Sequence, residues 1–335
     1  MKLADKSILF IDNSDSDFTG LDLNTAKVRG TESSLILLAE SLVKKKFNVK
    51  VLTEIKEDVL CNGVIYSNKN VYQDIYYDLC IAISNANLFN NISAKKKVVW
   101  SNSLQPFEKF LRKKQLLAFL KHRPEVVTMC NYQYNKRSYL TSMYGKHMIS
   151  LSVDPRFYNE DIDIKKMPPP YALNNVRSHR NLDWLIDIWT KSFNNKNGKA
   201  KLFINPNLIK YSQEIKNSNI FERKFGSRKD LINELRNTRV FAYTGHKSDI
   251  WVLTVEEAVQ MCVPVVTYGI GSVEDRVIHN ETGFLVKNDK EFAKYLELLL
   301  FDDEFYNKIR HKMFKRRGFK NWDSIADIWI KKFLS

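Results

Sequence analysis

Residues 248–286 read SDIWVLTVEEAVQMCVPVVTYGIGSVEDRVIHNETGFLV. Within them Val255, Ala258, Val259 and Cys262 recur at the spacing of a helix with one apolar face. Glu257 lies in the first turns of that helix, eight residues after Asp249. Pro264 cannot continue a helix, and Pro264-Val265-Val266 opens a β-branched run that reads as a buried strand. Gly269, Gly271-Ser272 and Glu274-Asp275 follow in a loop, ahead of Glu281-Thr282-Gly283-Phe284-Leu285-Val286. A helix that feeds directly into a buried strand is the repeating unit of an α/β domain.

The alternation continues outward from this stretch. Leu182, Leu185, Ile186 and Trp189 share a helix face, and strands are expected near Leu202 and Val240. In the first half, Ile8–Ile11, Val49–Thr53, Leu79–Ile83, Val98–Trp100, Val126–Met129 and Met148–Leu151 are short apolar runs, the signature of a parallel sheet buried on both faces. Leu35, Leu38, Ala39 and Leu42 predict a helix whose last turn carries Lys44, Lys45 and Lys46, matching its dipole. Pro155 and Met167-Pro168-Pro169-Pro170 remove backbone donors, so the domain boundary is placed among them. The expected division is an N-terminal α/β domain over 1–160, a second over 161–320, and a C-terminal helix over 321–335. Trp322, Ile325, Ala326, Trp329, Ile330 and Phe333 give that helix a large apolar face, which crosses back toward the first domain.

At 335 residues the chain holds roughly two domains of ~150. Its 53 Lys and Arg against 38 Asp and Glu give 53 − 38 = +15, which draws it to phosphates, acidic glycans or anionic membranes. With 44% hydrophobic residues the chain is not disordered. No apolar run reaches the ~18 residues that span a bilayer, and Ile8–Ile11 is too short for a signal-peptide core. A cytoplasmic protein is expected. Cys61, Cys80, Cys130 and Cys262 show no metal-ligand spacing and read as buried reduced thiols.

Gly30-Thr31-Glu32 opens a helix after the loop that follows the first strand, where free N–H groups attract anions. A tight turn with Thr31 as N-cap is the other reading. Arg29-Gly30-Thr31-Glu32-Ser33-Ser34 lacks the dinucleotide fingerprint. Arg177 and Arg180, ahead of a helix with Asn181 as cap candidate, offer planar donors for phosphate. Asp15-Ser16-Asp17 and Asp161-Ile162-Asp163 have the form of a manganese site but lie outside its usual context, and no metal is expected. Phe107 to Leu120 is a basic amphipathic segment with Lys109, Arg112, Lys113 and Lys114, suited to an anionic membrane, an acidic acceptor, or simply to water.

The motif from Asp249 to Val286 resembles the retaining GT-B glycosyltransferases of the family-4 type, the glycosyl transferases group 1. Their signature is an acid, seven residues, Glu-Ala, a Pro-Val strand, a Gly-Gly-x-Pro-Glu loop and a Thr-Gly-x-Leu-Val hairpin. Thr31-Glu32, Ser152-Val153-Asp154-Pro155-Arg156-Phe157, Arg177-Ser178-His179-Arg180-Asn181-Leu182-Asp183 and Asn321-Trp322-Asp323 resemble further motifs of the family, so the likeness spans nearly the whole chain. It departs at Asp249, where the family has Glu, at Ile250-Trp251-Val252-Leu253, where it has Gly-Phe-Gly-Leu, and at Arg29, Asn181 and Ser101-Asn102.

The resemblance implies two Rossmann-like domains facing across a cleft and a nucleotide-diphosphate-sugar donor held mostly by the second. It implies transfer with retention, without metal or cofactor, to a glycan or lipid-linked saccharide acceptor. The basic segment from Phe107 to Leu120 makes peripheral contact at the inner face of a membrane one expectation, and no nucleic acid partner is expected. Arg177, Arg180 and Asp249 take the catalytic roles. Gly30, Thr31, Glu32, Ile250, Trp251, Val252, Leu253, Thr254 and Glu257 line the donor site, with Glu257 on the ribose hydroxyls. A GT-B protein that binds without turnover is the alternative that the departures favour, and a basic nucleic-acid-binding protein is the one that charge alone suggests.

Overall fold

The computed structural model describes residues 6–25, 28–70, 75–175, 181–193, 199–205, 218–223 and 226–335. The chain divides into two compact units, Met1–Ser152 with Lys320–Ser335, and Val153–Phe319. The division falls at Ser152/Val153, earlier than the prolines suggested. Val153 and Phe157 are the reason: both are buried in the core of the second unit, so burial decides the boundary before the proline run begins.

Among the described residues the first unit holds an eight-stranded sheet. Its strands are β1 (Ser7–Ile11), β2 (Asn48–Thr53), β3 (Val59–Cys61), β4 (Val64–Asn68), β5 (Tyr76–Ile83), β6 (Ser93–Trp100), β7 (Glu125–Thr128) and β8 (Lys146–Met148), in the order β3-β4-β2-β1-β5-β6-β7-β8. All pairings are parallel except β3 with β4. The apolar runs therefore sit on both-face-buried strands, as in β1, where Ile8 to Ile11 are all buried. Expected strand Met148–Leu151 is instead β8, ending at Met148. The hairpin β3-β4 had no expectation, because Asn62-Gly63 joins runs of only three and five residues.

Helix α1 (Gly30–Lys44) starts two residues ahead of the Glu32 turn, with Arg29 rather than Thr31 at the N-cap. Short helices α2 (Phe107–Arg112), α3 (Gln115–His122) and α4 (Asn131–Lys136) follow β6 and β7. The C-terminal helix, α11 (Trp322–Phe333), packs on α1 within this unit and buries Trp322, Ile325, Ala326, Trp329 and Phe333. Trp329 meets Trp100 edge-on at 5.6 Å between centroids, and Lys45 pairs with Asp327 at 2.5 Å.

The second unit contains β9 (Tyr171–Asn174), β10 (Lys201–Ile204), β11 (Ile220–Glu222), β12 (Val240–Ala242), β13 (Val265–Thr267) and β14 (Gly283–Leu285). Their order is β11-β10-β9-β12-β13-β14, parallel throughout. Numbered along the unit this is 3-2-1-4-5-6, the doubly wound order whose direction reverses between β9 and β12. Gly283–Leu285 is the edge strand of this sheet rather than half of a hairpin. Its helices are α5 (Pro155–Asn159), α6 (Leu182–Phe193), α7 (Arg228–Arg236), α8 (Leu253–Gln260), α9 (Asp289–Phe301) and α10 (Asp303–Phe314). Trp189 of α6 is fully buried and donates its indole N–H to Ser218 O at 3.1 Å. Among the described residues no helix is long and apolar enough to cross a membrane.

Because α11 closes the first unit through one large ring, Trp329→Ala should destabilise it by about 3–5 kcal/mol. Urea unfolding would show this as a lower midpoint, and an unchanged midpoint would mean that α11 adds nothing to the fold.

Candidate functional site

The carboxyl ends of β9 and β12 are where the strand order of the second unit reverses, the place where open α/β sheets bind ligands. Asn174 ends β9 and donates its side-chain amide to Ala242 O at 2.7 Å, fixing the two strand ends together. Asn181, ahead of α6, adopts φ +57; its carbonyl accepts from Leu185 N at 3.4 Å, and its side-chain amide donates to Gly245 O at 3.4 Å. Arg223, just past β11, bonds Asn205 Oδ1 at 2.6 Å, Glu234 Oε2 through Nε at 2.8 Å, and Asn175 Oδ1. One guanidinium thus joins the carboxyl ends of three neighbouring strands. The sequence offered no signal for Arg223, whose partners are distant in the chain.

Beyond β12 and β13 the two loops touch backbone to backbone. A Cβ on Gly245 would lie 2.4 Å from Ile270 O, and one on Gly271 would lie 2.1 Å from His246 O. Both glycines have positive φ, +86 and +79, so side chains are excluded by space and by conformation. The contact shapes the seat of Asp249. Its Oδ2 accepts from Tyr243 Oη at 2.5 Å and from His246 N at 2.9 Å, and its carbonyl accepts from Ser272 N at 3.2 Å. Asp249 is buried, fixed in orientation by these bonds.

Ile250, Trp251 and Val252 lead from Asp249 into α8, with Leu253 and Thr254 in its first turn. The N-cap is Val252, whose side chain makes no capping bond, while Glu256 supplies an acid in the first turn, so the N–H groups of Leu253 and Thr254 have no side-chain cap at the positive end of the dipole. Buried side-chain atoms without a hydrogen-bond partner gather in the same segments: Trp251 Nε1, Thr254 Oγ1 and, from the facing loop, Ser272 Oγ. Each can donate a hydrogen bond. The Arg276 guanidinium lies over the Trp251 ring, 3.1 Å from its centroid, adding positive charge. Tyr243 and Arg276 are further residues that motif reading passed over.

Val255, Ala258, Val259 and Cys262 are buried as the helical spacing predicts. The helix ends before Cys262, which stands at φ +57 past the C-cap while Val263 N bonds Ala258 O at 2.9 Å. Glu257 is buried with that face, whereas Glu256 is partly exposed and accepts from Gln260 Nε2 at 3.1 Å. Burial pushes the Glu257 carboxyl up to about 7, while Arg228 lowers it, Asp154 raises it and Arg223 lowers it. Asp154 also suffers burial, but hydrogen bonds from Arg156, at 2.9 Å to Oδ1, and the charge of Arg228, 3.0 Å from Oδ2, hold it below the usual carboxylate range. Arg228 opens α7 behind a Ser227–Asp230 capping box. Its role was invisible in the sequence because Asp154 lies far away along the chain.

Arg177 and Arg180 lie outside the described residues. In the first unit Gly30 and Thr31 are partly exposed, while Glu32 is buried. Arg29 binds Glu32 Oε1 through Nε at 3.0 Å and Nη2 at 2.7 Å, and Glu32 Oε2 has no partner. Asp12, at the end of β1, is raised by burial, opposed by its bonds to Ser14 and reinforced by the charge of Glu32. Asp161 and Asp163 line a cavity of about 410 Å³ with Lys166, Arg236 and Arg310, beside Met261 at the C-terminal end of α8. Asp15 and Asp17 line another, about 590 Å³, with Glu54 and Glu57 in the first unit.

Residues 172–316 match the family model of the glycosyl transferases group 1. Among solved structures the chain is similar to WaaG, a glycosyltransferase involved in lipopolysaccharide biosynthesis, at 12% identity over 97% of this chain and 99% of that one, TM-score 0.70. It is similar to Anabaena HepE in complex with UDP-glucose, at 13% identity over 97% and 98%, TM-score 0.69. A mutant of S. aureus TarM in complex with fondaparinux, alpha-GlcNAc-glycerol and UDP matches at 17% identity and TM-score 0.61 over 76% of this chain, which spans 55% of the TarM chain. No curated protein sequence matches. These likenesses show that the chain has the α/β fold of GT-B glycosyltransferases.

The Glu257 environment makes a signed prediction. Its folded value near 7 exceeds the ordinary 4.5, so between those values the unfolded chain releases a proton that the folded chain keeps. Stability therefore falls as pH rises through this window and the loss is complete above it. Glu257→Gln should melt higher than the parent at pH 8, with the gain shrinking toward pH 4.5. A gain independent of pH would mean that the carboxyl titrates normally.

Proposed function

With a group 1 glycosyl transferase segment spanning residues 172–316, we propose that this chain transfers a sugar from a nucleotide-diphosphate-sugar donor to a glycan or lipid-linked saccharide acceptor. The observation that carries the reading is the uncapped start of α8, ringed by buried hydrogen-bond donors without partners at the reversing edge of the second sheet. Such a place suits a diphosphate. Its charge grows as the glycosidic bond breaks, so donors fixed in advance around it stabilise the transition state more than the bound donor.

In this reading the first N–H groups of α8, Thr254 and Ser272 receive the diphosphate, with Arg177 and Arg180 as further cations. Glu257 accepts the two ribose hydroxyls and Asp249 accepts a hydroxyl of the sugar. Gly30, Thr31 and Glu32 open the matching helix of the first unit, where the unpartnered Glu32 oxygen accepts hydrogen bonds. The anomeric configuration is retained, and neither metal nor cofactor takes part. The chain works in the cytoplasm and meets anionic membrane at its periphery. A second reading, binding without turnover, is favoured by the Trp251 ring and its Arg276 partner beside α8. Release of free sugar from a donor panel by the purified protein separates the two.

Two measurements test the main reading. Transfer should persist in excess chelator and give a product of unchanged anomeric configuration by NMR; loss with chelator that manganese restores would overturn the metal-free route. At pH 8, Glu257→Ala should weaken nucleotide binding in calorimetry by roughly 1.5–3 kcal/mol per charged hydrogen bond lost. Glu256→Ala should change little. Equal losses at both positions would put the ribose elsewhere.

A further inference from the structure

Pro168, Thr238 and Val263 stand just ahead of β9, β12 and β13 and line the cavity of about 410 Å³ in the second unit. They place it at the amino ends of these strands, whereas Asp249 and the start of α8 lie beyond the carboxyl ends. Met261, the C-cap of α8, also lines it, so the cavity meets that helix at the end opposite its unpartnered donors. Its volume is that of a small-molecule site, ~300–1,000 Å³.

Ile162, Leu235, Met261 and Val263 give the cavity a buried apolar wall. Asn237 and Thr238 spend their side-chain donors on Asn233 O at 2.9 Å and Glu234 O at 2.8 Å, and Arg236 pairs with Glu160. Asp161, Asp163 and Lys166 are exposed, and water answers their charges. Two lining residues of α10 differ. Tyr306 is fully buried and Arg310 only 5% exposed. The Nη groups of Arg310 donate to the carbonyls of Asp163, Ile164 and Lys166 at 3.3, 3.2 and 2.6 Å, but its Nε has no partner, and neither has Tyr306 Oη. The Arg310 and Arg239 guanidiniums lie over the Tyr306 ring, 5.7 and 5.4 Å from its centroid. Arg239 meets the carboxylate of Asp303 at 2.7 Å, whereas no carboxylate among the described residues pairs with Arg310. Burial pushes the Tyr306 phenol up to about 12, with Arg310 and Arg239 lowering it, so it stays protonated and donates. A buried guanidinium bonded only to carbonyls, beside a buried phenol bonded to nothing, is costly without a further acceptor.

We propose that this cavity binds a small organic carboxylate, whose two oxygens take the Arg310 Nε–H and the Tyr306 O–H while its apolar body lies on Leu235, Met261 and Val263. The donors set the class. One N–H and one O–H match the two oxygens of a carboxylate, whereas a phosphate brings a further oxygen and a second charge that these two residues do not answer. A neutral molecule would leave Arg310 without a counter-charge. The site lies wholly within the second unit and does not depend on the sugar-transfer reading.

The test uses the full chain and benzoate, an apolar ring bearing one carboxylate. A ligand of that size binds at roughly millimolar strength, so ~10 mM should raise the melting temperature by about 3 °C. Benzyl alcohol, the same ring without the charge, and inorganic phosphate should shift it little. Tyr306→Phe removes a hydroxyl that has no partner in the protein alone, so without benzoate the variant should melt at or above the parent. The same variant should bind benzoate about tenfold more weakly in calorimetry. A residue that only packs would not strengthen the fold and weaken the ligand together. Thr254→Ala, at the start of α8, should leave benzoate affinity unchanged. No shift with benzoate, an equal shift with benzyl alcohol or phosphate, unchanged affinity in Tyr306→Phe, or loss of binding in Thr254→Ala would each overturn the proposal.

Discussion

Two carbonyl groups, those of Ile270 and His246, lie where no side chain on Gly245 or Gly271 can stand. That close approach holds together the loops leaving β12 and β13, and much of the second unit's site depends on it. It brings His246 N onto Asp249 and Ser272 beside the Asp249 carbonyl. It also sets the path of Ile250 to Val252, and with it the point where α8 begins. A parallel sheet places loop ends near one another, but only to within a side chain's width. The glycines remove that width and leave the site with one geometry.

The buried charges have a different character. Glu257, Asp154, Arg156 and Arg228 form a chain in which each carboxylate is desolvated and each guanidinium makes up part of the loss. Removing charged groups from water commonly costs more than their mutual attraction returns. Glu257 records this imbalance as a carboxyl held near neutrality, whereas Asp154, with two guanidinium contacts, stays ionised. Asp154 caps α5 while gripping Arg228 of α7, so this network ties the start of the second unit to the helix that follows β11.

Most of the alternation of strands and helices was legible because strands buried on both faces leave unbroken apolar runs, as at Ile8–Ile11 and Val265–Thr267. What was not legible were strands without such runs. β11 is three residues with two exposed, β9 follows a proline run that reads as linker, and β3-β4 forms half-exposed at the sheet edge. In the site, Asp249 and Glu257 stood out because their spacing along one loop and helix is local. Arg223, Arg228 and Arg276 did not, since each acquires its role only when segments far apart in sequence meet. Thr31 is not the cap because the helix already begins at Gly30, with Arg29 at the N-cap in its place and no side-chain capping bond, while Arg29 pairs with Glu32 in the first turn.

That last substitution bears on why two sheets of nearly the same order differ in what they offer a ligand. Both reverse direction beside their first strand, and both place a helix start near the reversal. At α1 the first turn already contains Glu32, gripped by Arg29, with Asp12 close enough to feel its charge. Two carboxylates there oppose the dipole and repel a further anion. At α8 the first turn holds Glu256 at its outer side, Glu257 is held largely protonated by burial below neutral pH, and the cap is an apolar valine. Thr254, Trp251 and Ser272 keep buried polar atoms without a partner in the same segments. Two sheets that both reverse beside their first strand thus differ at their helix starts: Arg29 pairs with Glu32 at α1, whereas α8 begins on an apolar valine with those unpartnered polar atoms beside it.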